Sequence, residues 1–473
     1  MNTISLNQRG VARILLHTKR TSVGFGGFGV RRLVDRYLAT PWFALGAFEA
    51  LFITLGLCGL FYFSFPVGEF HGPAIIAALA LSLGIVFLTH TSGLYAGESV
   101  LSAAHAMRRI LFLTIPIFAL AVLTTGELAK HTGVPIYPYR WQWTLALTTI
   151  WMLIALLLRT LFRHVHETGA LTRRVIVIGS QQYASELESL SSQTLGRFKV
   201  IAKFEAAALH AAHETAVRSG VSEIVAGVDD LDAHSSQLAL VAASVRVTDF
   251  NEFYERHSGR VCIEQLPEDW AAQASRNQAC GFFRRSFDIA TSLTALVVVA
   301  PVLLLTALAI KLEDGGSVFY RQERVGLGGR VFSLLKFRSM RENAEQDGVP
   351  AWAQEGDCRA TRVGRLIRMV RIDELPQFIN VLQGEMSVIG PRPERPYFVS
   401  QFSKLIPHYD SRHILKPGIT GWAQVSFRYG ASVDDTRRKL SYDLYYAKNR
   451  GFVLDALVLL KTIAVILSGE GAR

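Results

Sequence analysis

The stretch Thr361–Arg395 reads TRVGRLIRMVRIDELPQFINVLQGEMSVIGPRPER and holds the densest group of polar residues in the chain. Apolar residues recur there at the i, i+3, i+4, i+7 spacing of one helix face: Val363, Leu366, Ile367 and Val370. The same spacing returns at Leu375, Phe378, Ile379 and Leu382. The pattern predicts two amphipathic helices, each burying one stripe.

The pair Asp373-Glu374 lies between these two helices. Asp is a favoured N-cap residue and Pro376 suits a first turn, so we predict that the second helix starts at Asp373. The free N–H groups and the dipole of a helix start favour anions, both a carboxylate and a phosphate. An ionised Asp can act as a nucleophile, and an adjacent Glu can hold a divalent cation. A purely structural N-cap is the alternative.

Basic residues surround the pair. They are Arg362, Arg365, Arg368 and Arg371 before it, Arg392 and Arg395 after it, and Arg321, Arg324, Lys336 and Arg338 upstream. Guanidinium groups bind phosphate oxygens bidentately, and lysine adds a point charge. Cations around two carboxylates suit a pyrophosphate substrate with Mg²⁺ or Mn²⁺. Nucleic acid is not expected, because the interleaved aromatics of single-strand binders are sparse. A solvated basic face is the alternative.

The N-terminal third is apolar. Half of the 473 residues are hydrophobic, 19% are charged, and the net charge is +11. Four apolar stretches approach the ~20 residues that cross a bilayer as a helix; they are Trp42–Tyr62, Pro73–Tyr95, Ile110–Thr125 and Trp143–Phe162. We therefore predict a four-helix transmembrane bundle over 41–165. Four scattered cysteines without a CxxC pair fit a reducing compartment.

The distribution of Lys and Arg predicts the orientation. Residues 1–40 contain seven basic residues: Arg9, Arg13, Lys19, Arg20, Arg31, Arg32 and Arg36. The connection Ser64–Gly72 contains none, and four arginines follow or end the fourth stretch: Arg159, Arg163, Arg173 and Arg174. The positive-inside rule places the N-terminal segment and the chain after the bundle in the cytoplasm.

Residues 170–268 predict a Rossmann-like α/β domain with a parallel sheet. Short β-branched runs alternate there with helix-like stretches; the runs are Val175–Ile178, Val200–Phe204, Ser222–Val228, Val245–Phe250 and Arg260–Ile263. No GxGxxG follows the first run, so a dinucleotide is disfavoured and a structural or regulatory domain is favoured. The ligand of this domain stays open.

Two further apolar stretches lie in the C-terminal part. Ile289–Ile310 is long enough to span a membrane, but Pro301 near its centre removes a helical hydrogen bond and favours a kink. Periodicity alone leaves open whether this helix crosses or re-enters. Phe452–Leu467 fits an amphipathic helix on a membrane surface or in a core.

From about Phe282 onward the chain resembles the bacterial sugar transferases, the monotopic phosphoglycosyl transferases. Five ordered stretches carry the resemblance: FYRQERVG, LLKFRSM, IDELPQFINVLQGEMSVIGPRPE, LKPGITGWAQV and YDLYYAKN. The preceding helices and α/β domain resemble the long members, the polyprenyl-phosphate hexose-1-phosphate transferases. The tail after Phe427 is similar to members from exopolysaccharide clusters.

The resemblance implies roles for residues at matching positions. Asp373 would be the nucleophile toward a UDP-sugar and Glu374 the Mg²⁺ ligand. Phosphate-binding and orienting roles would fall to Lys336, Arg338, Arg368 and Arg392, with Asp443 as an additional active-site carboxylate. Helix 287–311 would be re-entrant, bent at Pro301. Two positions depart from the family pattern: Ala300 replaces a common Ser, and Arg371 a small polar residue.

The combined prediction is a multi-pass inner-membrane protein of α plus α/β class. Residues 280–473 would be the catalytic domain on the cytoplasmic face, with amphipathic interface helices. It would transfer a hexose-1-phosphate from a UDP-sugar to polyprenyl phosphate in exopolysaccharide biosynthesis, in contact with membrane lipid. A homodimer and the identity of the sugar are left open.

Three competing functions are weighed. A membrane-bound nucleotide-sugar dehydratase would need a GxGxxG after a strand and a Tyr-xxx-Lys pair; the glycines occur only at Gly24–Gly29, and Tyr-xxx-Lys is absent. A metal-dependent glycosyltransferase would use a DxD, which Asp230–Asp232 fits in letters, although an acidic turn is favoured. A catalytically inactive membrane scaffold is the third.

Overall fold

The computed structural model describes most of the chain in thirteen segments. They are 41–64, 72–92, 94–95, 102–132, 140–169, 172–194, 197–205, 208–227, 245–267, 270–275, 281–341, 359–427 and 432–468. The predicted cytoplasmic segment 1–40, with Gly24–Gly29, and the DxD at Asp230–Asp232 lie outside them. The described residues form two compact units that divide after Phe250.

Four helices come first among the described residues of the first unit. They are α1 (Pro41–Ser64), α2 (Gly72–Thr91), α3 (Ala103–Thr132) and α4 (Arg140–Glu167). Their inward faces share one core that includes Ile85, Ile110 and Trp151. Their outward faces are also apolar, as exposed Leu and Phe side chains show. Helices that are apolar all round suit a membrane rather than water.

Three described helices are long and apolar enough to cross a bilayer, and two of them belong to this unit. These stretches are Ala103–Leu123, Thr144–Glu167 and, in the second unit, Gly281–Asp314. Helices α1 and α2 contain shorter apolar stretches, Leu45–Gly56 and Ala78–His90. The predicted helices are therefore present, and their composition is that of a membrane protein.

A charged pair lies inside these helices. Glu49 of α1 and Arg159 of α4 are 0% and 1% exposed, with 3.1 Å between Oε2 and Nη2. The Tyr95 hydroxyl donates to the same Glu49 oxygen at 2.8 Å, and Thr89 donates to Tyr95 at 3.1 Å. Ionisable groups inside apolar helices are stable when they pair this way. The network fixes how α1, α2 and α4 face one another.

A four-stranded parallel sheet follows. It contains β1 (Arg173–Ile178), β2 (Phe198–Phe204), β3 (Glu223–Ala226) and β4 (Arg246–Asp249) in the order β2-β1-β3-β4. Helices α5 (Gln181–Gln193) and α6 (Leu209–Arg218) connect the first three strands. β1 and β3 are buried almost throughout, as expected when parallel strands are covered on both faces. The predicted parallel α/β arrangement is confirmed.

The second unit contains nine helices and four short strands among its described residues. They are α7 (Phe250–Ser258), α8 (Trp270–Ser275), α9 (Gly281–Asp314), β5 (Phe319–Val325), β6 (Val331–Phe337), α10 (Arg362–Met369), α11 (Gln377–Gln383), β7 (Ser387–Ile389), α12 (Pro396–Leu405), β8 (Gly418–Thr420), α13 (Trp422–Ser426), α14 (Val433–Asn449) and α15 (Phe452–Ser468). β5 and β6 form an antiparallel hairpin, and β7 pairs with β8 in parallel.

The predicted fifth strand, Arg260–Ile263, is wrong. These residues follow α7 as an irregular segment that enters a short 3₁₀ turn at Ile263. Val261 is buried, and its N–H donates to the Ser441 carbonyl of α14 at 3.1 Å. The run is β-branched because it buries its side chains against this unit, and burial alone does not distinguish a strand.

Helix α9 is continuous over 34 residues and runs through Pro301. Its middle is exposed and apolar, with Val297, Val298 and Leu304 67–72% exposed. Near its start, the Arg285 guanidinium donates to the carbonyls of Val381 and Leu382 of α11, each at 2.6 Å. Both of those carbonyls belong to the second unit.

The other end of α9 is held by the same unit. Ile310 is buried against Phe337 of β6 and Ile367 of α10. Glu313 accepts from the N–H groups of Arg362, at 2.7 Å, and Val363 at the start of α10. The long helix therefore contacts one compact unit at both of its ends.

Helix α15 combines the two environments that the sequence left open. Leu454 and Val458 are fully buried, whereas Phe452, Leu460 and Ile466 are 85%, 45% and 61% exposed. One face packs in the unit and the other presents apolar side chains outward.

Candidate active site

Helix α10 leads into the turn that carries Asp373 and Glu374, here called the dyad. Thr361 caps this helix by accepting from the Gly364 N–H at 2.9 Å. Gly364 is required because a Cβ there would lie 2.0 Å from the Ser339 carbonyl oxygen. The helix ends at Met369, and Arg371 then adopts a left-handed conformation with φ 58°. This turns the chain sharply into Ile372-Asp373-Glu374.

The predicted helix start at Asp373 is wrong. Ile372–Glu374 form a 3₁₀ turn, and α11 begins at Gln377 after Pro376. The left-handed residue Arg371 breaks the helical path and delays the next α-helix by one turn. The predicted buried stripe on α10 is also only partly correct, since Ile367 is buried while Leu366 and Val370 are 61% and 53% exposed.

The strand β6 carries Lys336 toward this turn. Asn380 of α11 ties the helix to the strand: its Oδ1 accepts from Leu335 N at 2.9 Å, and its Nδ2 donates to Ser333 O at 2.8 Å. The Asn380 side chain thus makes the two backbone hydrogen bonds that a neighbouring strand would make with β6. Because α11 directly follows the dyad, this contact fixes Lys336 relative to Glu374.

Glu374 is held by two cations. Its Oε1 lies 3.0 Å from Lys336 Nζ and 2.5 Å from Arg392 Nη2, and its Oε2 accepts from Arg392 Nη1 at 3.4 Å. Burial disfavours the charged form, but Arg392 and Lys336 outweigh it and hold the pKa of Glu374 well below its usual range. Glu374 is an ionised carboxylate at neutral pH.

Asp373 behaves differently although it is the next residue. It is 9% exposed, and no hydrogen bond to its carboxylate is found among the described residues. Burial raises its pKa to about 6, aided by the Glu374 charge and opposed by Lys336, Arg392 and Arg368. At neutral pH it is therefore mostly ionised.

Arg392 reaches Glu374 from the loop Gly390–Glu394. The Gly390 N–H donates to Thr420 O and the Gly418 N–H donates to Pro391 O, both at 2.9 Å, so the loop extends the β7–β8 pairing. A Cβ on Gly418 would lie 2.0 Å from Gly390 N. This close approach explains why the stretches GPRPE and LKPGITG occur in one site.

The remaining predicted residues lie in three different places. Arg368 is half-buried on α10 and acts electrostatically on Asp373. Arg338 is buried and pairs with Asp314 at the end of α9. Asp443 is 2% exposed on α14 and accepts from Arg412 Nη2 at 2.8 Å. The structure therefore brings Lys336, Arg368 and Arg392 to the dyad, while Arg338 and Asp443 pair elsewhere.

No group of three or more His, Cys, Asp or Glu side chains that could hold a metal occurs among the described residues. Mg²⁺ commonly binds through one or two carboxylates and takes its other ligands from phosphates and water. Glu374 Oε2, with its single longer contact at 3.4 Å, fits such a role together with a substrate pyrophosphate.

Comparisons with known proteins identify the family of the chain. The model of the bacterial sugar transferase family matches residues 279–469. The UDP-glucose:undecaprenyl-phosphate glucose-1-phosphate transferase of Caulobacter vibrioides is 41% identical over 192 residues, which are 40% of this chain and 71% of the relative. The chain belongs to the bacterial sugar transferase family.

Two other relatives show how much of each protein is shared. The UDP-N-acetylgalactosamine-undecaprenyl-phosphate N-acetylgalactosaminephosphotransferase of Aeromonas hydrophila is 49% identical over 231 residues, 49% of this chain and 54% of the relative. The exopolysaccharide production protein PSS of Rhizobium leguminosarum is 39% identical over 194 residues and is covered over 97% of its length. The chain thus spans about half the length of the Aeromonas relative.

Sequence reasoning missed Arg412, which connects Asp443 to the site. Arg412 is 4% exposed, and its Nη2 donates to the Arg392 carbonyl at 3.0 Å as well as to Asp443. It lies in the segment Tyr409–Ile414, between two motifs, without a periodic pattern. No local signal marks it, since its partners lie 20 and 31 residues away along the chain.

Proposed function

We propose that this protein transfers a hexose-1-phosphate from a UDP-sugar to undecaprenyl (polyprenyl) phosphate through a covalent intermediate on Asp373. The observation that carries the proposal is the contrast within the dyad. Asp373 is buried, with a pKa of about 6 and no hydrogen-bond partner among the described residues, while Lys336 and Arg392 engage the ionised Glu374. Family membership supports the same reaction class.

In the first step an Asp373 carboxylate oxygen attacks the sugar-bearing phosphorus of the UDP-sugar. The bond between that phosphorus and the bridging oxygen breaks, UMP leaves with the electron pair, and a phosphosugar–aspartyl anhydride forms. In the second step a phosphate oxygen of polyprenyl phosphate attacks the same phosphorus. The Asp373 carboxylate leaves, and the product is a polyprenyl diphosphate sugar.

The cations beside the dyad suit the negative charge of this reaction. Lys336 lies on β6, Arg368 on α10 and Arg392 in the loop after β7, and all three charges act on Asp373. Phosphoryl transfer depends chiefly on positioning and on stabilising charge at the phosphoryl oxygens. Bound Mg²⁺, held by Glu374, would neutralise part of the pyrophosphate charge.

The proposal places the reaction at the cytoplasmic face of the inner membrane. UDP-sugars are cytoplasmic, and polyprenyl phosphate is a membrane lipid. The two ends of α9 contact one unit while its middle is apolar and exposed, which supports a helix that enters and leaves the membrane on one side. In this proposal residues 280–473 act as the catalytic domain and helix 287–311 as the re-entrant segment.

The initiating step of exopolysaccharide assembly is the proposed biological role. The Rhizobium relative named as an exopolysaccharide production protein supports it. The transferred sugar has two candidates: a hexose such as glucose or galactose, or N-acetylgalactosamine, which the name of the Aeromonas relative favours. UMP release from a panel of UDP-sugars, with GDP-sugars as controls, would identify it.

The decisive experiment uses the full chain in vesicles with UDP-sugar, Mg²⁺ and polyprenyl phosphate. We expect UMP release by the wild type and a phosphosugar trapped on the protein when acceptor is omitted. Asp373→Asn should lose both by more than ~10³-fold, because the amide is a poor nucleophile. Near-normal turnover by this variant would exclude the covalent route. No UMP from any UDP-sugar would favour the inactive scaffold.

A further inference from the structure

The loop that carries Arg392 is fixed at four successive carbonyls. Pro391 O accepts from Gly418 N at 2.9 Å, and Glu394 O accepts from Val325 N at 2.9 Å. Between them the acceptors bind side chains. Arg392 O accepts from Arg412 at 3.0 Å, and Pro393 O accepts from Arg324 at 3.0 Å.

Arg412 is itself held on every side. Its Nη1 donates to the Tyr409 hydroxyl at 2.9 Å, its Nη2 donates to Asp443 at 2.8 Å, and the guanidinium lies 5.3 Å from the Tyr409 ring centre. Burial opposes its charge, but Tyr409, Asp443 and Glu394 keep it cationic. A buried guanidinium satisfied in this way is rigid, and it transmits that rigidity to the carbonyl that it binds.

We propose that the buried Arg412–Asp443 pair is a positioning device that sets the Arg392 side chain against Glu374. This inference rests on the proposed function, because it gives Arg412 and Asp443 a role in the same reaction. Asp443 then acts through Arg412 and Arg392 rather than on the substrate. The order of contacts is Asp443 to Arg412 to the Arg392 backbone, and from the Arg392 guanidinium to Glu374.

The geometry excludes direct action by Asp443. Its carboxylate is 2% exposed and is paired with an arginine that is 4% exposed. A loop shift of about 1 Å is enough to reduce a reaction ~10²-fold when it moves a charged group away from the reacting atoms.

The test is a double-mutant cycle on UMP release in a single turnover. Three cations face the dyad, Lys336 from β6, Arg392 from the loop after β7 and Arg368 from α10, and each favours ionised carboxylates. In Arg412→Gln the Arg392 side chain loses its position, so the acid limb of kcat/KM should move to higher pH, as in Arg392→Gln. We expect kcat/KM at neutral pH to fall ~10²-fold.

The effects of Arg412→Gln and Arg392→Gln on kcat/KM should not multiply. In the Arg392→Gln background, Arg412→Gln should have little further effect, because the device then has nothing to position. Arg256→Gln is the matched control, since Arg256 is equally buried in the same unit and pairs with Glu252 at 3.1 Å. It should lower stability without moving the acid limb.

Two results would overturn the inference: an unmoved acid limb in folded Arg412→Gln, or effects that multiply in the double variant. Should Arg412→Gln fail to fold, Arg412→Lys decides by the same readouts. It keeps the charge opposite Asp443, but an ammonium cannot span the acceptors of the guanidinium fork. A wild type that releases no UMP would instead refute the proposed function.

Discussion

Asp373 and Glu374 are neighbours in sequence, but the pKa of Asp373 is raised and the pKa of Glu374 is lowered. Both are largely removed from water, so the difference comes from their partners. Glu374 accepts charge-assisted hydrogen bonds from Lys336 and Arg392, whereas Asp373 receives only the more distant influence of those cations. Two carboxylates with separated pKa values can take separate roles.

The first prediction concerns the pH dependence of UMP release. Attack requires ionised Asp373, so the single-turnover rate should rise about tenfold per pH unit and level off above the pKa of about 6. The assay omits the lipid acceptor, because a phosphate monoester also titrates near pH ~6. Lys336→Met removes a charge that lowers this pKa, so the limb should move to higher pH.

The exposed Lys404 on α12 offers the control for that variant. Lys404→Met removes the same charge and should leave the limb in place, since the site is shielded from it. A wild-type limb near pH ~4, the ordinary value of an Asp carboxyl, would contradict the assignment of Asp373 as a buried nucleophile.

At the scale of elements, the dyad depends on how closely α10 approaches Ser339, in the segment that follows β6. Gly364 of α10 contacts Ser339. The helix ends at Met369, and the left-handed Arg371 turns the chain away from the helical path. A helical pattern in sequence records the spacing of apolar residues but not the point where the chain leaves the helix. This is why the second helix starts at Gln377, four residues after the predicted start at Asp373.

Gly364→Ala tests this approach. The added Cβ would meet the Ser339 carbonyl oxygen at 2.0 Å, so α10 must move away. We expect a loss of about 2–3 kcal/mol of stability, seen as a lower thermal midpoint, together with reduced UMP release. Gly451→Ala is the control, because its Cβ would lie 3.9 Å from its nearest neighbour. Equal midpoints in the two variants would contradict the expectation.

At the scale of the whole molecule, the question is on which side of the membrane each part lies. In the second unit both ends of α9 contact the same fold, which supports the proposal that this helix enters and leaves the membrane on one side. In the first unit the Glu49–Arg159 pair sits inside apolar helices. Both features depend on contacts between residues far apart in sequence.

Cysteine labelling tests this topology in intact cells. In a background lacking Cys58, Cys262, Cys280 and Cys358, Arg330→Cys and Ser400→Cys should resist a membrane-impermeant maleimide until the cells are opened. A cysteine at Glu69, within the connection predicted to be periplasmic, should react without opening. Labelling of residue 330 from outside would mean that α9 crosses the membrane.

The sequence by itself determined the apolar helices, the parallel α/β arrangement and the family, and it singled out the Asp373-Glu374 dyad with Lys336, Arg368 and Arg392. These follow from local periodicity, from charge and from motifs that survive as contiguous letters. Only the tertiary structure decided the 3₁₀ turn at the dyad, the loss of the fifth strand and the place of Asp443 behind Arg412. The turn depends on the left-handed conformation of Arg371, and the other two depend on contacts between residues distant in the chain. A local pattern of apolar residues contains no information about either.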